Sequence, residues 1–224
     1  MRVLITGGNK GIGLALTKMF LDNGDEVVVI ARDFEGFIYK ERVTAIYYDL
    51  TDVDGIGALL ETLSDIDILI NNAGVMYSLS FDAYPDDKVE SMLALNLKAP
   101  VKLIEACARK GVKRIVNNAS IAGQIGHPDV WYGITKAGLI NATKSFAKIF
   151  DGKIIVNAVA PSPVETDMLE TIPLERREAF LKTVTAKRFA TPEEVAKTIF
   201  WLATDAPEYI NGATIDINSG AYLR

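Results

Sequence analysis

Apolar positions along the chain follow two alternating rhythms. Short runs rich in β-branched residues, Arg2–Thr6, Glu26–Ile30, Val43–Tyr48, Asp67–Ile70, Lys113–Asn117, Lys153–Val159 and Thr214–Ile217, read as seven strands. Between them, Ile12–Asn23, Asp52–Ser64, Asp86–Arg109, Val130–Phe150 and Pro192–Thr204 carry apolar residues at helical spacing. Strands that alternate with helices pair in parallel, because each helical crossover returns the chain to the same end of the sheet. The runs VLIT, VVVI and RIVN lack polar alternation, which places helices on both of their faces. The pattern predicts an α/β fold, a doubly wound seven-stranded parallel sheet, in a single domain over residues 1–224.

The boundaries carry their own signals. Asn23-Gly24 closes the first helix, and Thr191-Pro192-Glu193-Glu194 opens the last with a cap, a first-turn proline and acids. Asp33–Glu41 leaves room for only a short helix, and Met168–Arg188 reads as a mobile helical lid. No linker, repeat or low-complexity tract interrupts the alternation.

Composition narrows the function. At 224 residues and 49% hydrophobic, the chain can build a substantial core. Acidic residues outnumber basic ones, 29 to 24, and Lys and Arg are dispersed, which argues against nucleic acid or a membrane surface as partner. The start MRVLITGG is too short for a signal sequence, and no apolar run approaches the ~18 residues of a spanning helix, so a cytoplasmic protein is expected. One cysteine, Cys107, rules out an internal disulfide, and one histidine rules out a His/Cys metal site. Binding of Mg²⁺ or Ca²⁺ by carboxylates alone stays open, although no EF-hand spacing supports it.

Two stretches carry chemistry. The first strand runs into TGGNKGIG, whose Gly7, Gly11 and Gly13 let backbone approach a pyrophosphate at a helix N-terminus; a merely tight loop is the alternative. Farther on, Ser120 follows the fifth strand, and Tyr132-Gly-Ile-Thr-Lys136 opens a helix, so the phenol and the ammonium share one face. Alone, that pair is equally a core tyrosine beside a snorkelling lysine. Reduction of a carbonyl develops negative charge on oxygen, which needs a proton donor and a hydrogen bond at that atom. A neighbouring ammonium and an oxidised nicotinamide are expected to pull the tyrosine from its ordinary pKa of ~10 toward working pH.

In this order, TGGNKGIG, YDLTD, NNAG at Asn71–Gly74, Ser120, Tyr132-x-x-x-Lys136 and NAVAPSPVETDM resemble the short-chain dehydrogenase/reductases over nearly the whole chain. The resemblance implies that Gly7, Asn9, Lys10, Gly11, Ile12 and Gly13 cradle a dinucleotide, with Asp49 and Leu50 at the adenine. It further implies that Asn72, Ala73 and Gly74 line the middle of the cofactor site, and that Pro161, Val164 and Thr166 hold the carboxamide. By the same resemblance Tyr132 is the general acid/base, Ser120 orients the substrate oxygen, and Lys136 holds the nicotinamide ribose. Asn96 supports a proton-relay water. Local alternatives exist: Asp49 as a helix cap, Asn71 and Asn72 as turn ties, Asn96 as a helix bend. Ser162 stands where the family has glycine, so its backbone must avoid positive φ.

The second strand ends VVVIARD. Arg32 there favours a 2′-phosphate and so NADP(H), with Lys10 beside it, whereas Asp33 is the acid that would favour NAD. The C-terminal third is most similar to 3-oxoacyl-(acyl carrier protein) reductases, implying an acyl-thioester substrate; a small ketone, aldehyde or sugar is the second candidate. A redox sensor without catalysis is a third, disfavoured by the presence of Asn96, Ser120, Tyr132 and Lys136 together. An acidic carrier protein calls for basic residues at the site entrance. Arg109, Lys110, Lys113 and Lys153 are the candidates, against solvated helix-end charges. Apolar excess along Val130–Phe150, with the resemblance, predicts a closed homo-oligomer, a homotetramer.

Overall fold

The computed structural model describes residues 1–223. Its strands are β1 (Arg2–Thr6), β2 (Glu26–Ala31), β3 (Val43–Tyr47), β4 (Ile68–Asn71), β5 (Arg114–Asn118), β6 (Ile155–Pro161) and β7 (Thr214–Ile217). Its helices are α1 (Gly11–Asp22), α2 (Ile56–Glu61), α3 (Asp86–Leu93), α4 (Ala99–Ala108), α5 (Val130–Ile149), α6 (Leu174–Thr183) and α7 (Pro192–Ala203). All seven strands pair in parallel in the order β3-β2-β1-β4-β5-β6-β7, with ends shifted by at most two residues from the sequence reading.

Successive side chains of a strand point to opposite faces, and both faces are covered. Val3, Ile5, Val27 and Val29 pack on Leu16 and Phe20 of α1 and on Val195, Ile199 and Leu202 of α7. Leu4, Val28, Ile30 and Leu69 pack on Ile56 and Leu60 of α2 and on Leu103 and Ile104 of α4. The connections after β1 and β4 thus leave toward opposite faces. A crevice opens between the carboxyl ends of these neighbouring strands, where such folds bind ligands.

Three predicted helices change form. Between β2 and β3 no helix forms. Gly36, at φ +71°, turns the chain, and Phe34 covers the strand end by edge contacts with Tyr47 and Phe37, centroids 4.7 and 5.4 Å apart. Residues 52–55 make a turn rather than the start of α2, because the Asp52 carboxylate accepts from Gly55 N–H (3.3 Å) and its carbonyl accepts from the Tyr48 hydroxyl (2.6 Å). The long helix expected over Asp86–Arg109 breaks into α3 and α4 around a π-helical turn, Ala94–Lys98. Pro100 is the cause: it has no N–H to give the Asn96 carbonyl, four residues earlier. The caps behave as predicted, including the full capping box at Thr191 and Glu194.

The turn entering α1 is the tightest joint near the crevice. A Cβ on Gly13 would stand 2.0 Å from the Gly7 carbonyl oxygen, which is backbone and has nowhere to retreat. Gly13→Ala is therefore expected to cost on the order of 3 kcal/mol, as overpacking against rigid atoms does. A thermal melt equal to that of the wild type would show instead that the turn yields.

Candidate active site

The crevice begins at the glycine turn. Gly7 and Gly11 adopt φ of +64° and +53°, conformations that side chains resist. Lys10 occupies the N-cap of α1 without a side-chain capping bond, so the first-turn N–H groups and the positive end of the helix dipole are left for an anion. Asn9 ties the turn to the end of β2, its amide donating to the Asp33 carbonyl (2.9 Å). Lys10 Nζ lies 3.9 Å from the exposed Asp33 carboxylate. The Thr51 amide and hydroxyl, each 2.9 Å from Asp49 Oδ1, hold that carboxyl below its ordinary pKa, with Arg32 adding to the effect. Asp49 therefore closes a turn, and it is absent from the crevice wall, where Tyr48 and Leu50 stand.

A chain of hydrogen bonds crosses the seam. Thr6 Oγ1 accepts from the backbone N–H groups of Asn72 and Ala73, both at 2.9 Å, and the Asn72 amide donates back to the carbonyls of Thr6 (3.0 Å) and Gly7 (3.3 Å). Asn118 Nδ2 donates to Asn72 Oδ1 (3.0 Å), and Lys136 Nζ donates to the Asn118 carbonyl (2.8 Å). Space at Gly74 is tight, since a Cβ there would lie 3.3 Å from Asn96 Oδ1.

At the other end, Ser120 caps a short 3₁₀ turn, Ile121–Gly123, its hydroxyl oxygen accepting from Ala122 N–H (3.1 Å). That turn lies flat on α5: a Cβ on Gly123 would come within 2.5 Å of the Lys136 carbonyl carbon. Ser120 is thereby set against Tyr132 and Lys136, one helical turn apart and both buried. Burial pushes the Tyr132 phenol up to about 12; a Ser120 hydrogen bond opposes this and the Asp129 charge adds to it. Burial pushes the Lys136 ammonium down to about 8. The expected lowering of the tyrosine by its lysine is not among the effects acting on it here, where desolvation dominates.

Asn96 does not reach the wall. Its side chain clamps Val75, accepting from the Val75 N–H (2.9 Å) and donating to the Val75 carbonyl (2.8 Å) and to Thr135 Oγ1 (3.3 Å). Two residues absent from the sequence reading belong to the site. Asp129, wholly buried, caps α5 by accepting from Tyr132 N–H (3.1 Å), and it also accepts from Ser78 N–H (3.0 Å) and the Tyr84 hydroxyl (2.6 Å). His127 lines the cavity beside Tyr132. The N-cap aspartate was the only signal the sequence offered.

The whole cavity measures about 490 Å³ and runs from the glycine turn to the tyrosine. Of the residues read from the sequence, Gly13, Asp49 and Asn96 stand behind the wall and the others line it, including Arg32, Asn72, Pro161, Val164 and Thr166. Ser162 keeps a negative φ, as a non-glycine there requires, and its N–H donates to the Ile217 carbonyl (2.9 Å). Asn118 Oδ1 has no hydrogen-bond partner, although its residue lines the cavity. The open helix end, the close-approach glycines and this unpaired acceptor fit a dinucleotide. Met76, Ile121, Met168 and Ile172 make the tyrosine end apolar, the last two from the predicted lid, whose helix α6 buries none of its residues. The basic residues Arg109, Lys110, Lys113 and Lys153 lie at or before the amino ends of β5 and β6, the sheet edge opposite the site, which corrects their placement at the entrance. Among the described residues no His/Cys/Asp/Glu cluster could hold a metal, and no helix is long and apolar enough to cross a membrane.

Lys136 gives a test of this electrostatic reading. A lysine whose folded pKa lies near 8, against an ordinary 10.5, is bound to its proton less firmly in the folded chain than in the unfolded one. Its burial penalty is complete below pH 8 and disappears as the pH rises toward 10.5. Lys136→Met should therefore raise the melting temperature of the cofactor-free protein at pH 7, and the advantage should shrink between pH 8 and 10. Equal or lower stability at pH 7 would show that the Asn118 bond offsets the burial.

Comparison with known proteins agrees with this geometry. The family model described as enoyl-(acyl carrier protein) reductase matches residues 7–222. The 3-oxoacyl-[acyl-carrier-protein] reductase FabG of Vibrio harveyi is 33% identical over 98% of this chain and 96% of its own length, and that of Thermotoga maritima 34% over 98% and 97%. A short-chain dehydrogenase from Burkholderia cenocepacia in complex with NADP superposes with a TM-score of 0.88 at 26% identity, covering 98% of this chain and 97% of that one. 4-Hydroxyisoleucine dehydrogenase complexed with NADH gives 0.88 at 26% identity, covering 98% of each chain. The chain belongs to the short-chain dehydrogenase/reductase family and is a nicotinamide-dependent oxidoreductase.

Proposed function

We propose that the chain is an NADP(H)-dependent reductase of 3-oxoacyl thioesters in which Tyr132 is the proton donor. The observation that carries this reading is the convergence of Ser120, Tyr132 and Lys136 at the apolar end of a cavity whose opposite end is the glycine turn. The reduced nicotinamide supplies the hydride. Tyr132, protonated at neutral pH with its phenol near 12, gives its proton to the carbonyl oxygen as the C–H bond forms. Ser120 accepts from Ala122 N–H, and its own O–H, directed at the Tyr132 oxygen, turns to the same substrate oxygen. Lys136 spends one N–H on the Asn118 carbonyl and keeps two for the ribose hydroxyls. The π-helical turn fixes Asn96, whose clamp on Val75 shapes the wall, and Asn96 supports the proton relay from behind that wall.

The apolar walls of Met76, Ile121, Met168 and Ile172 suit an acyl chain better than a sugar, and curated relatives bearing the 3-oxoacyl name support that choice. For the cofactor, Arg32 and Lys10 supply the charge for a 2′-phosphate, while Asp33, 3.9 Å from Lys10, offsets part of it. We further infer a homotetramer, because α5 leaves Val130, Ile134 and Ile149 exposed along one helix of a kind that pairs in this family. Light scattering at micromolar concentration should return four times the 24.4 kDa chain, and a monomer would refute it.

Tyr132→Phe is expected to fold and bind NADPH yet lose ~10²–10⁴-fold in turnover, the range for general acids. More than about a tenth of wild-type activity remaining would remove Tyr132 from that role. Steady-state kinetics should also show NADPH preferred over NADH, with Arg32→Ala reducing the preference by about tenfold. A preference for NADH that persists in Arg32→Ala would overturn the cofactor assignment.

A further inference from the structure

His127 is the chain's only histidine, and it lines the same cavity as Ser120 and Tyr132. Its ring lies 5.7 Å from the Tyr132 ring, tilted by 56°. Nδ1 sits 3.2 Å from the backbone N of Asp129 and 3.1 Å from the Asp129 carbonyl oxygen, contacts that ask for opposite tautomers. The carbonyl already accepts from Gly133 N–H at 3.0 Å, the first turn of α5. The Asp129 N–H belongs to a wholly buried residue and takes Nδ1 as its acceptor. Nδ1 therefore accepts, and the ring proton is on Nε2. Burial, with Arg176 assisting and Asp129 opposing, holds the imidazole below its ordinary pKa, so it is neutral at pH 7 and has a single donor.

The base under this ring is rigid. The Asp129 carboxylate binds the start of α5, the loop at Ser78 and the Tyr84 hydroxyl together, so His127 is held where it is by a buried anchor rather than by its own loop. With Nδ1 turned to the backbone, Nε2 is the ring nitrogen left to the cavity. The two rings are neighbours, 5.7 Å between centroids, and both line this end of the cavity.

We propose that His127 is a specificity-determining residue whose Nε2–H donates to a second oxygen of the substrate. The site thereby selects 1,3-dicarbonyl compounds, 3-oxo thioesters among them, over ketones with one oxygen. The inference rests on the proposed reading that carbonyl reduction takes place at Tyr132. A donor fixed beside apolar walls discriminates in this way, because a substrate without the matching acceptor leaves it unpaired.

The test compares a 3-oxoacyl thioester of N-acetylcysteamine with a methyl ketone of equal chain length, both with NADPH. His127→Ala should lower kcat/KM for the thioester on the order of tenfold more than for the ketone, and His127→Gln, which keeps an N–H donor, should recover part of that gap. If the ketone turns over too slowly, its Ki against the thioester takes the place of kcat/KM. Equal losses on both compounds, a glutamine variant no better than alanine, or a wild type that favours the ketone would each overturn the inference. Tyr132→Phe separates the two levels: activity retained in that variant sinks the reading of the site itself. An inactive Tyr132→Phe with equal losses in the His127 variants sinks only the role of His127.

Discussion

The site depends on one relay of hydrogen bonds across the carboxyl ends of three strands. Thr6 at the end of β1 accepts from the chain just after β4, Asn72 binds back to the Thr6 and Gly7 carbonyls and accepts from Asn118, and the Asn118 carbonyl anchors the Lys136 ammonium. The links run from 2.8 to 3.3 Å; the Lys136 bond is buried and the others are partly buried, so water competes for them less than at an open surface. A doubly wound sheet must leave a crevice where its connections part to opposite faces, and side chains alone cannot fill that crevice with apolar packing. The relay holds the crevice open at a fixed width. It also fixes the distance between the glycine turn and the tyrosine helix, which are far apart in sequence.

The same geometry is costly in isolation. A buried ammonium with one protein acceptor and a buried carboxylate at Asp129 are both charges removed from water, and neither faces a buried opposite charge in an ion pair. Asp129 recovers its cost through three hydrogen-bond donors, two of them backbone N–H groups. Lys136 recovers less, and its depressed pKa is the sign of that. Strain of this kind persists where function needs it and the surroundings over-determine it, here through Gly123 and Gly13, where backbone meets backbone too closely for a methyl group.

Much of this was legible in the sequence because it is local. Strand runs, the glycine turn and the Tyr132–Lys136 spacing depend on neighbours within a few residues. The break at Asn96 also had a local cause in Pro100, which the continuous helical period over Asp86–Arg109 masked. What stayed hidden is non-local. Asp129 reads as an ordinary helix cap until Ser78 and Tyr84, 51 and 45 residues away, are folded onto it. Arg109, Lys110, Lys113 and Lys153 look like an entrance patch in one dimension, yet parallel strands send their amino ends to the opposite edge. Desolvation of Tyr132 could not be read either, since a motif shows which charges are near but not how much water is gone.

The two ends of the cavity are therefore constrained to different degrees. The glycine-turn end is made by the carboxyl ends of β1, β2 and β4 and the start of α1, elements whose register the sheet itself imposes. The tyrosine end takes its walls from segments outside the sheet, around Met76, His127 and Met168–Ile172, and the anchors at Asn96 and Asp129 help to hold the first two in place. These segments can change without disturbing strand pairing. About one-third identity spread over the full length thus carries the cofactor chemistry across relatives more securely than it carries the substrate. Neighbours of equal structural likeness are found with NADP in one case and with NADH in another, and in this chain the end of β2 carries exposed charges, Arg32 and Asp33, that the packing of the sheet leaves free to vary.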